Sequence, residues 1–292
     1  MVIFVVLHYM VFKETKQCVN SIKNNVKGEK KIIIVDNCSP NGSYSSLVDA
    51  FGCDKDIIIM KSDSNLGFAR GNNLGYKYAV ENFNPDFIVV MNNDMEIFQE
   101  DFIDKLYESY AKYGYYILGP DIYSTKQEYH QNPQTRKVLD RSDLKLLYRK
   151  LVIKDRLRFL VPVKWWFKNI LIKNKSVDNN SKDKNEYVQN IVKNPLLHGS
   201  CYVFSKKFTE KHQHTCFYDK TFMYMEAEIL HYMALKNNEL MLYYPDLKVY
   251  HHEDVATDST FVKQYKKSFF SIRCLLQSTK AFIDLIDSDK KE

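Results

Sequence analysis

Glycine and proline are scarce, 9 and 7 in 292 residues, which excludes collagen-like and low-complexity chains. The apolar run at residues 1–7 is too short to span a bilayer. It also lacks the basic region and small-residue cleavage site of a secretory signal, so it reads as a first buried strand. The six cysteines, at 18, 38, 53, 201, 216 and 274, include no CxxC pair, which argues against a zinc ribbon or a compact disulfide scaffold. Reduced thiols in the cytoplasm are the expectation. No GxGxxG follows the first apolar run and no GxxxxGK[ST] occurs anywhere, so dinucleotide-binding and P-loop readings drop out. Neither sign of charge dominates, since 42 Lys+Arg against 36 Asp+Glu leave only +6. What is present is 45% apolar and 14% aromatic residues, enough for a substantial core.

The first 120 residues repeat one unit: a short apolar run, a turn and a stretch of helical period. The runs cover 2–7, 31–35, 57–60, 87–91 and 115–118, lengths and compositions that suit strands buried on both faces of a parallel sheet. Helical periodicity over 15–24, 70–81 and 102–113 places Cys18, Val19 and Ile22, then Leu74, Tyr78 and Ala79, then Phe102, Leu106 and Tyr110 on apolar faces. Alternation of this kind predicts βαβ units, with ligands bound beyond the carboxyl ends of the strands.

The residues after the second, third and fourth runs are polar: Asp36-Asn37-Cys38-Ser39-Pro40-Asn41-Gly42-Ser43, Ser62-Asp63-Ser64-Asn65-Leu66-Gly67 and Asn92-Asn93-Asp94. Any one of these is ordinary turn and cap chemistry. Three successive such loops along one sheet edge favour a shared site.

Those segments, with the HYMVFKETKQCVNSI that closes the first run, NLGFARGNN and VVMNNDMEI, resemble glycosyltransferase family 2. The similarity is greatest to the bacterial branch that includes rhamnosyltransferases and other builders of surface polysaccharide. It runs from about residue 2 to 96 and resumes near 196. The resemblance implies an α/β fold of GT-A type: a Rossmann-like, mostly parallel sheet flanked by helices, here with a basic helical insertion and a C-terminal helix. It implies that Tyr9 and Asp36 flank the nucleotide base, that Asn37, Asn65, Gly67, Arg70, Gly71 and Asn73 line the donor pocket, and that Asn92 and Asn93 lead into Asp94. Asp94 matches the last Asp of the family's metal-binding triplet, which implies Mg²⁺ or Mn²⁺ tying the donor's diphosphate to the protein. With Asn-Asn-Asp in place of a richer triplet, other oxygen ligands or a His gain importance. His8 and Met10 depart from the family pattern and read as core-facing strand-end residues rather than donor ligands.

In the second half, PLLHGSCYVFSKKF reads as a loop and a strand, with Gly199 and Ser200 matching the segment that meets donor sugar and acceptor. An inverting transferase needs a carboxylate to take the acceptor hydroxyl's proton. The family's usual Glu-Asp pair reads Glu226-Ala227 here, followed by Glu228, so Glu226 and Glu228 are both candidate bases, Glu226 the preferred one. Phe217, Phe222, Tyr224, Ile229 and Leu235 are candidate apolar anchors around this helix start. Both carboxylates also simply suit the positive end of a helix. His251, at a strand end beside His252, Glu253 and Asp254, could supply the imidazole nitrogen that the triplet lacks.

Residues 145–175 carry ten Lys or Arg and one Asp, a local +9; without them the chain has a balance of −3. Leu144, Leu147, Tyr148 and Leu151 share one helical face, with Lys145, Arg149 and Lys150 elsewhere. After Pro162, Trp166, Phe167 and Ile170 share a second face, and both Trp residues lie beside cations. Such helices lie on anionic membranes, or else form an insertion packed on the domain with a solvated basic face. Nucleic-acid binding is a third and weaker reading, since no recognised motif accompanies the charge, and nucleic acid is not assigned as a partner. The polar stretch 174–187 reads as a loop. The periodic segment 260–285 reads as a helix that packs on the sheet, forms a homodimer contact or lies near membrane.

The division that follows is a donor-binding half over 1–120, a basic insertion and loop over 121–193, an acceptor and catalytic half over 194–258, and a C-terminal helix and tail over 259–292. The implied activity is inverting, metal-dependent transfer of a hexosyl or deoxyhexosyl group from a nucleoside diphosphate sugar to a hydroxyl of a lipid-linked bacterial surface glycan such as capsule, O-antigen or exopolysaccharide. The enzyme would be cytoplasmic and peripheral at the inner face of the membrane. A catalytically degenerate donor-binding or scaffold protein is the alternative, motivated by Ala227 and the Asn-Asn-Asp triplet.

Overall fold

The computed structural model describes residues 1–157, 186–253 and 264–290. Its centre is the run of β-branched residues foreseen at the amino end: β1 (Val2–His8) pairs in parallel with β2 (Lys30–Asp36) and with β4 (Phe87–Asn92). β3 (Ile57–Lys61) adds to β2, also in parallel. Between these strands lie α1 (Phe12–Asn25), α2 (Ser43–Phe51) and α3 (Gly67–Phe83). The short β5 (Met95–Glu96), α4 (Phe102–Tyr113), β6 (Ile117–Ser124), β7 (Tyr129–His130) and α5 (Arg141–Arg156) follow. β8 (Val192–Lys193), β9 (Cys201–Ser205), α6 (Lys206–Lys211), α7 (Glu226–Lys236), β10 (Met241–His251) and α8 (Gln264–Asp289) complete the described chain.

Among the described residues the strands form one sheet in the order β3-β2-β1-β4-β9-β6-β10-β5, with β7 on β6 and β8 on β10. The run expected at 115–118 as a fifth parallel neighbour is instead separated from β4 by β9, which is antiparallel to both β4 and β6. Inserting one reversed strand lets a segment from the second half of the chain join the two parallel groups. It also brings the residues just before β9 to the same edge as the carboxyl ends of β4 and β6. The boundary expected at residue 120 falls inside β6, because the sheet continues through it.

Side chains alternate along β1. Val2, Phe4 and Val6 join Cys18, Val19 and Ile22 of α1, Leu47 of α2 and Phe102 and Leu106 of α4 in one apolar layer. Ile3 and Val5 join Ala69, Tyr76 and Ala79 of α3 and Leu230 and Ala234 of α7 in the other. α3 lies close on the sheet because Gly75 has no side chain; a Cβ there would stand 2.6 Å from Val5 and 2.7 Å from Val35. A third cluster joins Leu144 of α5, Met225 and Ile229 beside and on α7, and Phe282, Ile283 and Ile286 of α8. Thus α8 packs on α5 and α7 rather than on the sheet. The face read at Leu144 and Leu151 is the buried one, and α5 opens with a capping box made by Asp140 and Asp143. Leu235, expected as an anchor, is exposed, whereas Phe217 and Ile229 are buried. The helix read around Trp166, the residues of the polar loop up to 185 and the start of the 260–285 helix up to 263 lie outside the described residues. All six cysteines are free thiols. Among the described residues no helix is long and apolar enough to cross a membrane.

His8 holds the strand ends to the helices. Its ring is fully buried, with Nδ1 2.6 Å from Thr15 Oγ1 in α1 and Nε2 2.8 Å from Ser43 Oγ at the start of α2. The Thr15 hydroxyl donates to Val11 O and so accepts from Nδ1–H, which leaves Nε2 to accept from Ser43. Burial pushes the His8 pKa down to about 4, partly opposed by the Asp36 carboxylate 3.8 Å away. The unfolded chain therefore takes up a proton near pH 6.5 that the folded chain refuses until about 4. His8 contributes stability above pH 6.5 that is lost as pH falls toward 4, in total about 3 kcal/mol. In urea unfolding, the stability of the native chain relative to His8→Gln should fall by about 2 kcal/mol between pH 7.5 and pH 5.

Candidate functional site

A cleft of about 890 Å³ opens where β1, β4, β6 and β10 end, the edge at which the polar loops were expected to converge. Of the residues singled out from the sequence, Tyr9, Asn37, Asn65, Gly67, Asn92, Asn93, Asp94, Gly199, Ser200, Glu226, Glu228 and His251 line it. Asp36, Arg70, Gly71 and Asn73 stand outside its lining. Asp36 is fully buried and its carboxylate accepts from Ser39 N–H. Arg70 is exposed and donates to Leu66 O one turn back. Gly71 leaves room for Leu7, and Asn73 ties α3 to the 216–217 loop through Cys216 N, Phe217 N and Phe217 O. Met10, half-buried with φ 67°, donates its N–H to Ser39 Oγ.

One side of the cleft is knit by Asn37. Its amide nitrogen donates to Asn65 Oδ1 and Gly67 O, and its oxygen accepts from Leu66 N–H at 2.8 Å. Gly67 has φ +77°, and any Cβ there would collide with the Phe222 carbonyl, whose oxygen takes the Phe68 N–H at 2.7 Å. The site therefore requires glycine at this position. Asn93 donates to Thr15 Oγ1, anchoring the triplet to α1.

Asp94 and His251 meet because β5 pairs antiparallel with the end of β10, His251 opposite Met95, and because His252 N–H donates to Asp94 O at 2.9 Å. Asp94 Oδ1 lies 3.4 Å from His251 Nε2 and is buried with no hydrogen-bond partner. An orphaned carboxylate oxygen facing an imidazole nitrogen at the floor of a cleft fits a cation with mixed oxygen and nitrogen ligands. Among the described residues no group of three or more His, Cys, Asp or Glu is placed to hold a metal ion, so the chain offers this pair. His198 lies beside it, ring centroids 5.7 Å apart, with Nδ1 2.8 Å from Ser200 Oγ. Burial, and secondarily His251, press the His198 pKa down to about 3.

On the opposite wall, Tyr224 and Met225 take left-handed φ of 73° and 69° before α7 begins at Glu226. Two consecutive non-glycine residues in that region are costly, and they turn the first helical residue into the cleft. Glu226 is buried, with Oε1 unpartnered, and burial raises its pKa to about 7 against partial relief from backbone and Thr221 hydrogen bonds. Glu228 is instead ion-paired with Arg136 at 2.8 Å. Leu139, Leu147, Phe222, Met223 and Leu275 make this side of the cleft apolar.

Sequence reading missed Gln127, Gln131, Arg136 and His198, which also line the cleft, and used Glu253 only as a neighbour of His251. His198 was within reach, since it directly precedes Gly199-Ser200 at a strand edge. Gln127, Gln131 and Arg136 carry no periodic or motif signal and fall in the stretch assigned to the insertion.

A model described as glycosyl transferase family 2 matches residues 3–174. The chain is 29% identical over 109 residues to the low-salt glycan biosynthesis hexosyltransferase Agl10 of Haloferax volcanii, a match that covers 37% of this chain and 34% of that protein. It therefore spans about a third of that relative's length. Among solved structures, S. aureus TarS 1–349 superposes with a TM-score of 0.51 at 12% identity, over 86% of this chain and 60% of that one. TarS 1–349 in complex with UDP-GlcNAc gives 0.52 at 13%, over 95% and 66%. These likenesses speak to the fold, which is of GT-A type. With the family model spanning more than half of its residues and its motifs gathered at one sheet edge, the chain belongs to glycosyl transferase family 2.

Proposed function

We propose that the chain is an inverting glycosyltransferase that moves a sugar from a nucleoside diphosphate donor to an acceptor hydroxyl, with Glu226 as the base. The observation that carries this is the pairing, in one cleft, of the Asp94–His251 floor with a buried carboxyl whose pKa stands at about 7. A group with that pKa is half ionised at neutral pH and strong enough to accept a hydroxyl proton as the oxygen attacks the anomeric carbon. Glu228 is less suited because the Arg136 guanidinium already occupies it. Tyr9, Asn37, Asn65, Gly67, Asn92, Asn93, Gly199 and Ser200 would bind the donor, with Asp36, Arg70, Gly71 and Asn73 holding the loops that carry them. Asp94 Oδ1 and His251 Nε2 would hold a divalent cation, and a mixed oxygen and nitrogen pair suits Mn²⁺ better than the harder Mg²⁺. Such an ion neutralises charge on a departing diphosphate. Proton balance is simple: the hydroxyl proton passes to Glu226, the new bond forms to oxygen, and the nucleoside diphosphate leaves from the opposite face.

The acceptor we propose is a lipid-linked surface glycan met at an anionic membrane. Support comes from the apolar wall of the cleft and from α5, which contributes Leu147 to that wall. The outward face of α5 exposes Leu146, Ile153 and Leu157 at 52%, 57% and 47%, with the exposed cations Lys145, Arg149, Lys150, Lys154 and Arg156 among and beside them. An apolar stripe flanked by positive charge matches the interfacial region of an anionic bilayer.

Transfer monitored as nucleoside diphosphate release should vanish in Asp94→Ala and fall by about 10²–10⁴-fold in Glu226→Gln. In the native chain kcat/KM should rise with pH to a midpoint near 7, not near the 4.5 of an ordinary Glu, since only the ionised form accepts the proton. The same raised pKa means that stability present below about pH 4.5 is lost as pH rises through 7. At pH 8, Glu226→Gln should therefore be more stable than the native chain by about 3 kcal/mol even as its transfer activity falls. Co-sedimentation with phosphatidylglycerol vesicles at physiological salt should weaken about tenfold or more when Leu146, Ile153 and Leu157 are all replaced by Ser. Absence of vesicle binding by the native chain would count against the membrane reading alone.

A further inference from the structure

Behind the Asp94–His251 pair lies a chain of buried side chains that decides which way the imidazole faces. His251 Nδ1 is 2.7 Å from Gln131 Oε1, and Gln131 Nε2 is 2.5 Å from Glu253 Oε1. The second Glu253 oxygen accepts from Gln127 Nε2 at 2.6 Å. Gln131, Glu253 and His251 are all buried. A carboxylate only accepts, so Gln131 must turn its NH₂ toward Glu253 and its carbonyl oxygen toward the imidazole. That carbonyl oxygen also only accepts, so the ring hydrogen sits on Nδ1 and Nε2 keeps its lone pair. The lone pair faces Asp94 Oδ1 across 3.4 Å, longer than a good hydrogen bond, and that oxygen has no partner. Two electron-pair donors thus oppose each other with no hydrogen between them.

The backbone is bent to deliver this arrangement. Glu253 holds φ at 56°, an uncommon conformation for a long side chain, two residues beyond the end of β10. Gln131, next after β7, is fixed by its N–H to Ile122 O at 2.7 Å. We propose that Glu253 and Gln131 are positioning residues that lock His251 in the Nδ1–H tautomer and aim Nε2 at a divalent cation shared with Asp94. The proposal rests on the metal reading given above, and it assigns a role to the 121–193 stretch beyond its charge.

Two measurements on the full chain test it. In ¹⁵N-histidine NMR of the metal-free protein, with the His251 signals assigned by their loss in His251→Ala, the native ring should show Nδ1–H. Gln131→Leu removes the acceptor and should shift the ring toward Nε2–H. Glu253→Gln, nearly isosteric and less prone to unfold, lets Gln131 turn over and should do the same. Titration with Mn²⁺ alone, followed by the free-ion EPR signal, should give affinities about 10–100-fold weaker in both variants. A merely structural role would lower the unfolding temperature and leave tautomer and Mn²⁺ affinity unchanged. An Nε2–H ring in the native chain, or native Mn²⁺ affinity in both variants, overturns the proposal and leaves the metal reading standing. A native Nδ1–H ring with no Mn²⁺ binding overturns the metal reading and, with it, the role proposed here.

Discussion

The two-residue pairing of β5 with the end of β10 is the constraint on which the cleft depends. Asp94 precedes one strand and His251 ends the other, and nothing in their sequence separation brings them together. Antiparallel register sets His251 opposite Met95, and the His252 N–H bond to Asp94 O closes the corner. These are backbone bonds at one end of a large sheet, where β5 is the outermost strand, so the geometry of the acid–imidazole pair is inherited from the sheet. The triplet is held from the other side by Asn93 on Thr15, and Thr15 by His8. The floor of the cleft is therefore continuous with the first strand and first helix.

The opposite wall is built differently. Glu226 opens α7, and α7 is held against α5 and α8 by Leu144, Ile229, Phe282, Ile283 and Ile286. Burial of this helix start raises the pKa of Glu226. Glu228, two residues on, is instead held in an ion pair by Arg136. Two carboxyls on one helical turn thus acquire different surroundings, one buried with an oxygen left without a partner, the other ion-paired. The insertion is more than an appendage in this arrangement, since α5 supports the Glu226 wall with one face while its other face remains exposed and basic.

Much of the first 120 residues was legible from residue pattern. Short runs of Val and Ile announced β1 to β4, and Asn, Asp, Ser and Gly clustered at their ends announced the loops, because burial on both faces and tight turns each demand particular residue types. β9 was readable as a strand, but its antiparallel placement between β4 and β6 was not, since direction within a sheet leaves no mark on a five-residue apolar run. Asp36 shows the converse limit. The motif identified it as important, and the fold buries it behind the cleft lining, where it steadies the Ser39 turn. Gln131 illustrates a third case. A lone glutamine in a stretch without periodicity carries no signal, yet it contacts a residue 120 positions away.

From the sequence alone came the α/β class, the family likeness, the edge of the sheet at which the polar loops gather, and the short list of carboxylates and imidazoles. These follow from local rules of periodicity, turn chemistry and spacing. Tertiary structure alone decided which of Glu226 and Glu228 carries an ion pair, which nitrogen of His251 faces Asp94, and that α8 packs on α5 and α7. Each of those depends on what surrounds a group in space: desolvation, hydrogen-bond direction and apolar contact are properties of neighbours that the chain brings together only by folding.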